Sequence, residues 1–214
     1  MNFDFPQTTV PRLSLHQLRS THAGPISLTL AAGECVALVG ESGAGKSVCL
    51  RMIADLDPCD GDVLLDGVAR ATWRAPVWRS MVVYQPAEPA WWDSTPEAHF
   101  PPAQRAYAQA LLPALKLKPA AWTGDLMRLS TGERQRLALV RSLACQPKVL
   151  LLDEPAAALD PETTLALEVV LRQQLDAGMA ILLVSHSQAQ AARMAHRQLR
   201  MVNGQLAQPC TPSA

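Results

Sequence analysis

The chain has 214 residues, equal numbers of basic and acidic side chains (19 of each) and a hydrophobic content of 49%. This length allows one sizeable core but is short for two full domains, and the hydrophobic content argues against intrinsic disorder. Zero net charge is not typical of a general nucleic-acid-binding protein, which needs a positive surface field. Charged residues make up only 18%, which leaves room for a surface that docks on another molecule.

Five cysteines occur along the chain: Cys35, Cys49, Cys59, Cys145 and Cys210. Because their number is odd and no two form a CxxC pair, we expect reduced thiols in a cytosolic protein. No run approaches the ~18 apolar residues that a membrane-spanning helix needs. The first ten residues lack the basic start and apolar centre of a secretory signal, so we expect no targeting segment there.

The first third of the chain has the patterns of β-strands. Residues 12–18 and 26–30 alternate between apolar and polar side chains, which predicts half-buried antiparallel strands. Residues 34–39 form a nearly continuous apolar run, typical of a strand that is covered on both faces. Further along, the pattern predicts a helix over 46–56 and strands over 62–65 and 81–84.

The second part of the chain alternates between helices and strands. Five prolines fall within residues 86–102, so regular structure is not expected there. The pattern then predicts helices over 103–117, 130–145 and 161–177, strands over 149–152 and 180–185, and a closing hairpin over 199–207. This alternation predicts an α/β fold with a largely parallel sheet, to which a helical insert at about 90–145 is added.

A phosphate-binding loop is indicated directly after the third predicted strand. Its eight residues fit the pattern G-x-x-x-x-G-K-[ST]: Gly40, Glu41, Ser42, Gly43, Ala44, Gly45, Lys46 and Ser47. Glycines let the backbone N–H groups approach phosphate oxygens, and the start of the following helix adds partial positive charge. Lys46 could bridge β- and γ-phosphate oxygens, and the Ser47 hydroxyl could bind Mg²⁺. The alternative, a glycine-rich turn with a solvated lysine, does not account for the spacing and the context together.

Two carboxylates end the apolar strand predicted over 149–152. Asp153 and Glu154 follow it directly, and the carboxyl ends of parallel strands form the ligand-binding edge of such a sheet. Asp153 would therefore lie near Mg²⁺, and Glu154 could act as the general base on a water molecule. The alternative is an ordinary strand end at a polar turn, since Glu-Pro is a natural stop.

Further motifs follow in a characteristic order. Residues 129–136 read Leu-Ser-Thr-Gly-Glu-Arg-Gln-Arg, and they are joined by Gln85, Asp160 and His186. Together with the phosphate loop and the carboxylates, these residues make nearly the whole chain resemble an ATP-binding-cassette (ABC) ATPase subunit. The resemblance implies one ABC ATPase domain over residues 1–214. Its expected parts are a P-loop NTPase core sheet, an N-terminal antiparallel β-subdomain and an inserted helical subdomain.

The resemblance also implies a mechanism that needs two subunits. They would pack head to tail, with ATP held by the phosphate loop and Val48 of one subunit and by Ser130 and Gly132 of the other. Three residues would perform the chemistry: Glu154 as base, His186 at the γ-phosphate and Gln85 as a reporter of nucleotide state. Three would bind Mg²⁺, namely Ser47, Gln85 and Asp153. Asp160 would pass information across the dimer.

The sequence departs from the family pattern at several positions. Thr131 and Glu133 stand where the signature LSGGQ has Gly and Gln, which adds bulk and negative charge near the phosphates. Ser130 and Glu133 also fit a helix capping box, and both roles can hold together. Residues 12–39 contain no aromatic side chain apart from His16 and His22, so the resemblance offers no standard residue on which adenine stacks. We therefore expect weak discrimination between bases.

The predicted insert contains Trp91, Trp92 and Phe100. Exposed aromatic side chains would form an anchor for a partner helix, as the family's membrane subunits provide. The alternative is that they fill a small core of the insert. Both interpretations are compatible with the sequence.

We expect an ATP-hydrolysing transporter subunit that dimerises, binds integral membrane permease subunits, and sits at the inner face of the cell membrane without binding nucleic acid. The chain is expected to lack the C-terminal regulatory domain of many sugar importers. A few residues outside the shared motifs resemble the small FetA-type ATPases linked to iron export. Two alternatives remain open, a soluble ABC protein of DNA repair or translation and a P-loop small-molecule kinase.

Overall fold

The computed structural model describes residues 10–207; Cys210 and most of the segment tested for a secretory signal lie outside them. The strands are β1 (Leu13–Arg19), β2 (Ile26–Leu30), β3 (Cys35–Val39), β4 (Asp60–Leu65), β5 (Val68–Ala69), β6 (Val82–Gln85), β7 (Val149–Asp153), β8 (Ala180–Val184), β9 (Arg197–Val202) and β10 (Gln205–Leu206). The α-helices are α1 (Lys46–Ile53), α2 (Ala75–Met81), α3 (Pro102–Leu111), α4 (Ala120–Thr123), α5 (Thr131–Ala144), α6 (Pro161–Asp176) and α7 (Gln188–Met194).

The strands form two sheets. The N-terminal sheet is antiparallel, in the order β2-β1-β4-β5. The core sheet has the order β10-β9-β3-β8-β7-β6, and all its pairings are parallel except that of β10 with β9. Every residue of β7 and β8 is buried, which is why their sequences are almost entirely apolar. The predicted α/β class and the antiparallel N-terminal subdomain are thus confirmed.

Two hydrophobic clusters cover the two faces of the core sheet. One joins α1 and the antiparallel sheet to one set of core-strand side chains, among them Leu151 and Leu182. The other joins α5, α6 and the helical insert to the alternate set, among them Leu150 and Ile181. Because side chains alternate along a strand, the consecutive apolar residues of β7 and β8 serve both clusters.

An ionic contact links the two sheets at the edge where β7 begins. Asp66, in the turn between β4 and β5, accepts hydrogen bonds from Arg12 Nη1 and Lys148 Nζ, each at 2.6 Å. Arg12 precedes β1, and Lys148 precedes β7. The antiparallel sheet is therefore tied to the core sheet at the end of β7 opposite Asp153.

The structure corrects several predicted boundaries. The first helix ends at Ile53, and α3 ends at Leu111, two residues before Pro113, which cannot continue the hydrogen-bond pattern of a helix. Three short helices, α2, α4 and α7, are absent from the prediction. The segment 86–102 lacks strands, as expected, but contains a 3₁₀ turn at Pro96–His99.

Two expectations about the whole chain can be checked over the part that the structure describes. The four cysteines within residues 10–207 are all free. Over the same residues, no helix combines the length and the apolar character that crossing a membrane requires.

Candidate nucleotide-binding site

The phosphate loop connects β3 to α1 and depends on glycine at three points. Gly43 and Gly45 have φ of +78° and +96°, values that favour glycine because it has no Cβ. At Gly40, a Cβ would lie only 2.4 Å from the carbonyl oxygen of Met201 on β9. The predicted loop is therefore held against the core sheet in a conformation that other residues would not adopt.

Lys46 begins α1 and points back over this loop. Its Nζ donates hydrogen bonds to the carbonyl oxygens of Gly40 and Glu41, both at 2.8 Å. The side chain is almost fully buried, with 6% of the residue exposed. These bonds place the ammonium group at the N-terminus of an eight-residue helix, where it and the helix dipole present positive charge together.

Asp153 lies at the end of β7, next to the end of β6. The hydroxyl of Tyr84 donates a hydrogen bond to Asp153 Oδ2 at 3.1 Å, and Asp153 is 5% exposed. Burial, together with the negative charge of Asp153, strongly raises the pKa of Tyr84, so its hydroxyl is protonated and can donate this bond. The bond leaves the second oxygen of Asp153 for another partner.

Glu154 adopts a left-handed backbone conformation, with φ of +50°. Its N–H donates to Val184 O at 2.9 Å, and its carbonyl oxygen accepts a bond of 2.7 Å from Gln135 Nε2. One carboxylate oxygen, Oε2, accepts from the backbone N–H of His186 at 3.1 Å. The other, Oε1, lies 3.4 Å from His186 Nε2. The carboxylate is thus directed toward the residues that follow β8.

The electrostatic environment of Glu154 opposes ionisation. Burial raises the pKa of its carboxyl group above the ordinary value, and the negative charge of Asp153 acts in the same direction. The backbone N–H and the ring of His186, together with Lys46, partly offset this effect. A carboxylate with a raised pKa accepts a proton more readily than an ordinary one, which suits a general base.

These groups meet in one cavity of about 280 Å³. Its walls include Val48, Asp153, Glu154, His186 and five residues of the phosphate loop, namely Ser42, Gly43, Gly45, Lys46 and Ser47. The loop residues Gly40, Glu41 and Ala44 do not line it. The structure therefore brings together residues that are separated by more than 100 positions in the sequence. Gln85 does not line this cavity; it is 1% exposed, and neither polar atom of its amide has a hydrogen-bond partner among the described residues.

Ser130 and Gly132, the other predicted phosphate contacts, do not line the cavity either. Ser130 caps α5, and the predicted capping box is present. Glu133 N–H donates to Ser130 Oγ at 3.2 Å, and Ser130 N–H donates to Glu133 Oε2 at 2.9 Å. Hydrogen bonds from Ser130 lower the pKa of Glu133, so its negative charge is stabilised within the cap.

The start of α5 packs against the turn that follows Glu154. A Cβ on Gly132 would lie 2.9 Å from the carbonyl oxygen of Ala158, so this close approach requires glycine. Asp160 ends the turn and caps α6, where it accepts from Thr163 N–H at 2.9 Å and Thr163 Oγ1 at 2.6 Å. Asp160 therefore has a local structural role as the cap of α6.

A second cavity, of about 710 Å³, adjoins Val48. Its lining includes His22, together with Arg19, Arg51, Asp57 and Asp60. His16 lies within β1, paired with Asp62, and does not line this cavity. Of the two histidines considered as stacking partners for adenine, His22 is therefore the one that lies beside the phosphate loop.

The aromatic residues of the insert differ in burial. Phe100 is 2% exposed, and its ring centroid lies 4.6 Å from that of Trp122, so it belongs to the core. Trp91 packs partly against the same cluster. Trp92 is 72% exposed, although its ring lies 5.0 Å from the guanidinium of Arg141. Of these three residues, only Trp92 has most of its surface exposed.

Sequence reasoning missed two side chains at the site. The sequence pattern places Tyr84 only within a strand, and Gln135 only within the segment 129–136. The hydrogen bond from Tyr84 to Asp153 joins two neighbouring parallel strands. The sequence offers one indication of this role, because Tyr84 directly precedes the candidate residue Gln85. Gln135 contacts residues 19 and 23 positions away, and no local pattern indicates such contacts.

The sequence matches the model of a family described as "ABC transporter" over residues 23–157, well over half of the chain. It is 36% identical over 198 residues to Protein STAR1 of Oryza sativa subsp. japonica, covering 88% of this chain and 57% of that protein. It is 36% identical to the aliphatic sulfonates import ATP-binding protein SsuB of Cupriavidus pinatubonensis, over 85% of this chain and 61% of the relative. A third relative, the Fe(3+) ions import ATP-binding protein FbpC of Pseudomonas fluorescens, is 34% identical over 94% of this chain and 61% of its own length.

The chain thus spans between 57% and 61% of the length of these curated relatives. Its fold resembles a dimeric ATP-binding cassette in a post-hydrolysis state bound to ADP and Pi, with a TM-score of 0.81 and 21% identity. That likeness covers 92% of this chain and 97% of the other. The family match includes the signature segment, which a P-loop small-molecule kinase does not explain, and so decides against the kinase alternative.

Proposed function

The chain belongs to the ABC transporter family, and from that premise we propose that it binds and hydrolyses ATP as the motor subunit of a transporter. The observation that carries the proposal is the cavity that unites the phosphate loop with Asp153, Glu154 and His186. We further propose that residues 1–214 act as a single ABC ATPase domain, with the helical subdomain inserted at about 90–145.

The reaction requires positive charge at the phosphates and a base at the water. Lys46 and the N-terminus of α1 stabilise the charge that develops on the transferred group. Glu154 accepts a proton from the attacking water as the water oxygen bonds to the γ-phosphorus. The bond between that phosphorus and the bridging oxygen breaks, which releases ADP and inorganic phosphate. His186, whose ring is 3.4 Å from Glu154, would contact the γ-phosphate.

The residues present also fit a magnesium ion. Within residues 10–207, no group of three or more His, Cys, Asp or Glu side chains could hold a metal by itself. Mg²⁺ is usually held by one or two carboxylates together with substrate phosphates and water, and Ser47 and Asp153 provide such oxygen ligands. The buried amide of Gln85, which has no hydrogen-bond partner within residues 10–207, would supply a further oxygen near the end of β6. When bound, the ion would neutralise charge on the β- and γ-phosphates.

Completion of the site would require a second subunit, either another copy of the chain or a paired ATPase subunit. Ser130 and Gly132 lie outside the cavity of their own chain, whereas the start of α5 is a helix N-terminus suited to an anion. The fold likeness to a dimeric cassette agrees with this arrangement. We propose that ATP is held between the phosphate loop of one subunit and residues 130–132 of the other.

The proposed partners are integral membrane permease subunits, which would hold the chain at the cytoplasmic face of the membrane. Exposed Trp92, on the helical insert, supports a docking surface of this kind. The bacterial relatives described above are named as import proteins, for sulfonates and for Fe(3+). Neither export nor iron, the expectations from the FetA-type resemblance, is confirmed by these names.

Two substitutions test the proposed chemistry. Lys46→Ala should weaken ATP binding at least tenfold, because it removes the cation at the phosphates. Glu154→Gln should bind ATP within about threefold of the unmodified protein but release phosphate ~100-fold more slowly, since general-base catalysis contributes 10²–10⁴-fold. The measurements are isothermal titration with ATP and Mg²⁺, phosphate release, and light scattering, which should show Glu154→Gln accumulating as an ATP-bound dimer.

Glu162→Gln is the matched control, because the Glu162 side chain is 85% exposed and lies outside the cavity. It should retain normal turnover. If Glu154→Gln hydrolyses ATP as fast as this control, Glu154 is not the base. If the unmodified protein, supplied with ATP and Mg²⁺ and with its membrane partners, releases no phosphate, the proposed function is wrong.

A further inference from the structure

Gln135 makes two hydrogen bonds to the turn that contains Glu154. Its Nε2 donates to Glu154 O at 2.7 Å, and its Oε1 accepts from Ala158 N–H at 3.2 Å. The residue lies in the second turn of α5 and is 3% exposed. A single amide group thus connects α5 to both ends of the segment 154–158.

This segment needs external support. A residue other than glycine at positive φ is held in place only when its surroundings over-determine its conformation, and Glu154 has φ of +50°. Its N–H is held by Val184 O at 2.9 Å. On the carbonyl side, Ala157 N–H donates at 3.2 Å within the turn. Gln135 is the side chain from outside the turn that donates to this carbonyl oxygen.

The direction of the Glu154 side chain depends on that backbone conformation. Its carboxylate must face the cavity to meet His186 and the phosphate loop. If the Glu154 peptide rotated away from positive φ, the Cα–Cβ bond would turn with it, and the carboxylate would leave this position. Other contacts of α5 with the turn, such as the approach of Gly132 to Ala158, do not act on the Glu154 peptide.

We propose that Gln135 is a positioning residue for the proposed reaction: its amide fixes the Glu154 peptide, and thereby the general base, from the helix that begins at Ser130. This inference rests on the proposed ATP hydrolysis. It also connects two parts of the same chain, the start of α5 and the proposed general base. The helix whose first residues would receive the partner's triphosphate directly holds the base that acts on the chain's own nucleotide.

Two variants separate the two hydrogen bonds. Gln135→Met has a similar length and no hydrogen-bonding amide, so it removes both bonds. Gln135→Glu keeps an acceptor for Ala158 N–H but places a carboxylate oxygen against the Glu154 carbonyl. Gln173→Met is the matched control, because Gln173 is an exposed helical glutamine on α6.

We expect both Gln135 variants to lower kcat about 10- to 100-fold, since a displacement of ~1 Å at a reacting group can cost ~100-fold. The KM for ATP should stay within about threefold, because Gln135 does not touch the phosphate loop. Hydrogen exchange without nucleotide should show faster exchange of the Ala158 amide in Gln135→Met, but near-normal exchange in Gln135→Glu. Thermal unfolding identifies any variant that fails to fold, in which case the other variant decides.

A wild-type kcat in a folded Gln135 variant would overturn the inference while leaving the proposed function intact. A proportional change in KM and kcat would also overturn it, because Gln135 would then support the whole site and not the base in particular. Unchanged hydrogen exchange at Ala158 in Gln135→Met would overturn it as well, because Gln135 would then not hold the turn. If the unmodified protein hydrolyses no ATP, the proposed function fails. In that case the exchange measurement, which needs no nucleotide, still shows whether Gln135 holds the turn.

Discussion

Two segments begin at the ends of adjacent parallel strands, β7 and β6, and they are held in different ways. The turn after β7, residues 154–158, is fixed by directional hydrogen bonds from buried groups, including Gln135. The loop after β6 is held around residues 90–99 by hydrogen bonds, such as those from Trp92 N–H to His99 Nε2 at 3.0 Å and from Arg141 Nη1 to Ala90 O at 3.1 Å, and in addition by aromatic contacts. There, the guanidinium of Arg141 lies 4.5 Å from the ring centre of Trp91, and the Trp91 ring lies 4.9 Å from that of His99.

The two kinds of contact suit different tasks. Hydrogen bonds lose strength steeply with distance and angle, so the turn is suited to hold a reacting carboxylate in one position. Aromatic and cation–π contacts tolerate a range of geometries, and the loop leaves Trp92 largely exposed. The first segment therefore holds the Glu154 side chain in place, whereas the second leaves the Trp92 side chain accessible.

The largest expected effect is on stability, and it distinguishes two aromatic residues of the region after β6. Phe100→Ala should lower the free energy of unfolding by about 3–5 kcal/mol, because it leaves a cavity in a packed core. Trp92→Ala should lower it by less than about 1 kcal/mol, since little of that ring is buried. Urea denaturation measures both. A loss of similar size at the two positions would show that Trp92 supports the fold, and the contrast between core and docking surface would fail.

A second prediction concerns the pH dependence of the turn. The proposed base must be ionised, and burial raises the pKa of Glu154. The rate of ATP hydrolysis should therefore fall toward acid pH, about tenfold per pH unit below a midpoint that lies above the ordinary carboxyl value. Single-turnover rates at saturating ATP measure this midpoint, with ATP affinity recorded over the same range. A flat profile down to the ordinary carboxyl pKa would contradict the raised value.

The smallest expected effect is on base preference. The phosphate end of the site is fixed by the loop and Lys46, whereas the cavity beside Val48 offers exposed His22 and charged side chains in place of an aromatic platform. ATP and GTP should therefore bind with affinities within about threefold of each other, because contacts with the phosphates are common to both. Competition titrations measure the ratio. A preference for ATP of tenfold or more would show that this cavity recognises adenine specifically.

Structural features that depend on a few neighbouring residues can be predicted from the sequence, whereas features that depend on distant contacts cannot. The phosphate loop and the capping box of Ser130 and Glu133 were predictable, because glycine conformation and capping act over a few residues. Phe100 and Trp92 were not separable, since both are aromatic and only packing against Trp122 distinguishes them. The role of Gln135 was not predictable, because its partners are set by the docking of α5 on the turn.

The pair of bonds from Asp66 to Arg12 and Lys148 has a mechanical consequence. Lys148 directly precedes β7, and Asp153 ends it, roughly 16 Å away at ~3.3 Å per residue. A second connection lies at the phosphate loop, where Gly24 N–H donates to Gly204 O at 2.7 Å and Gly204 N–H donates to Ala44 O at 2.9 Å. Because the two sheets are joined at both places, the Asp66 bonds resist rotation as well as sliding of one sheet against the other.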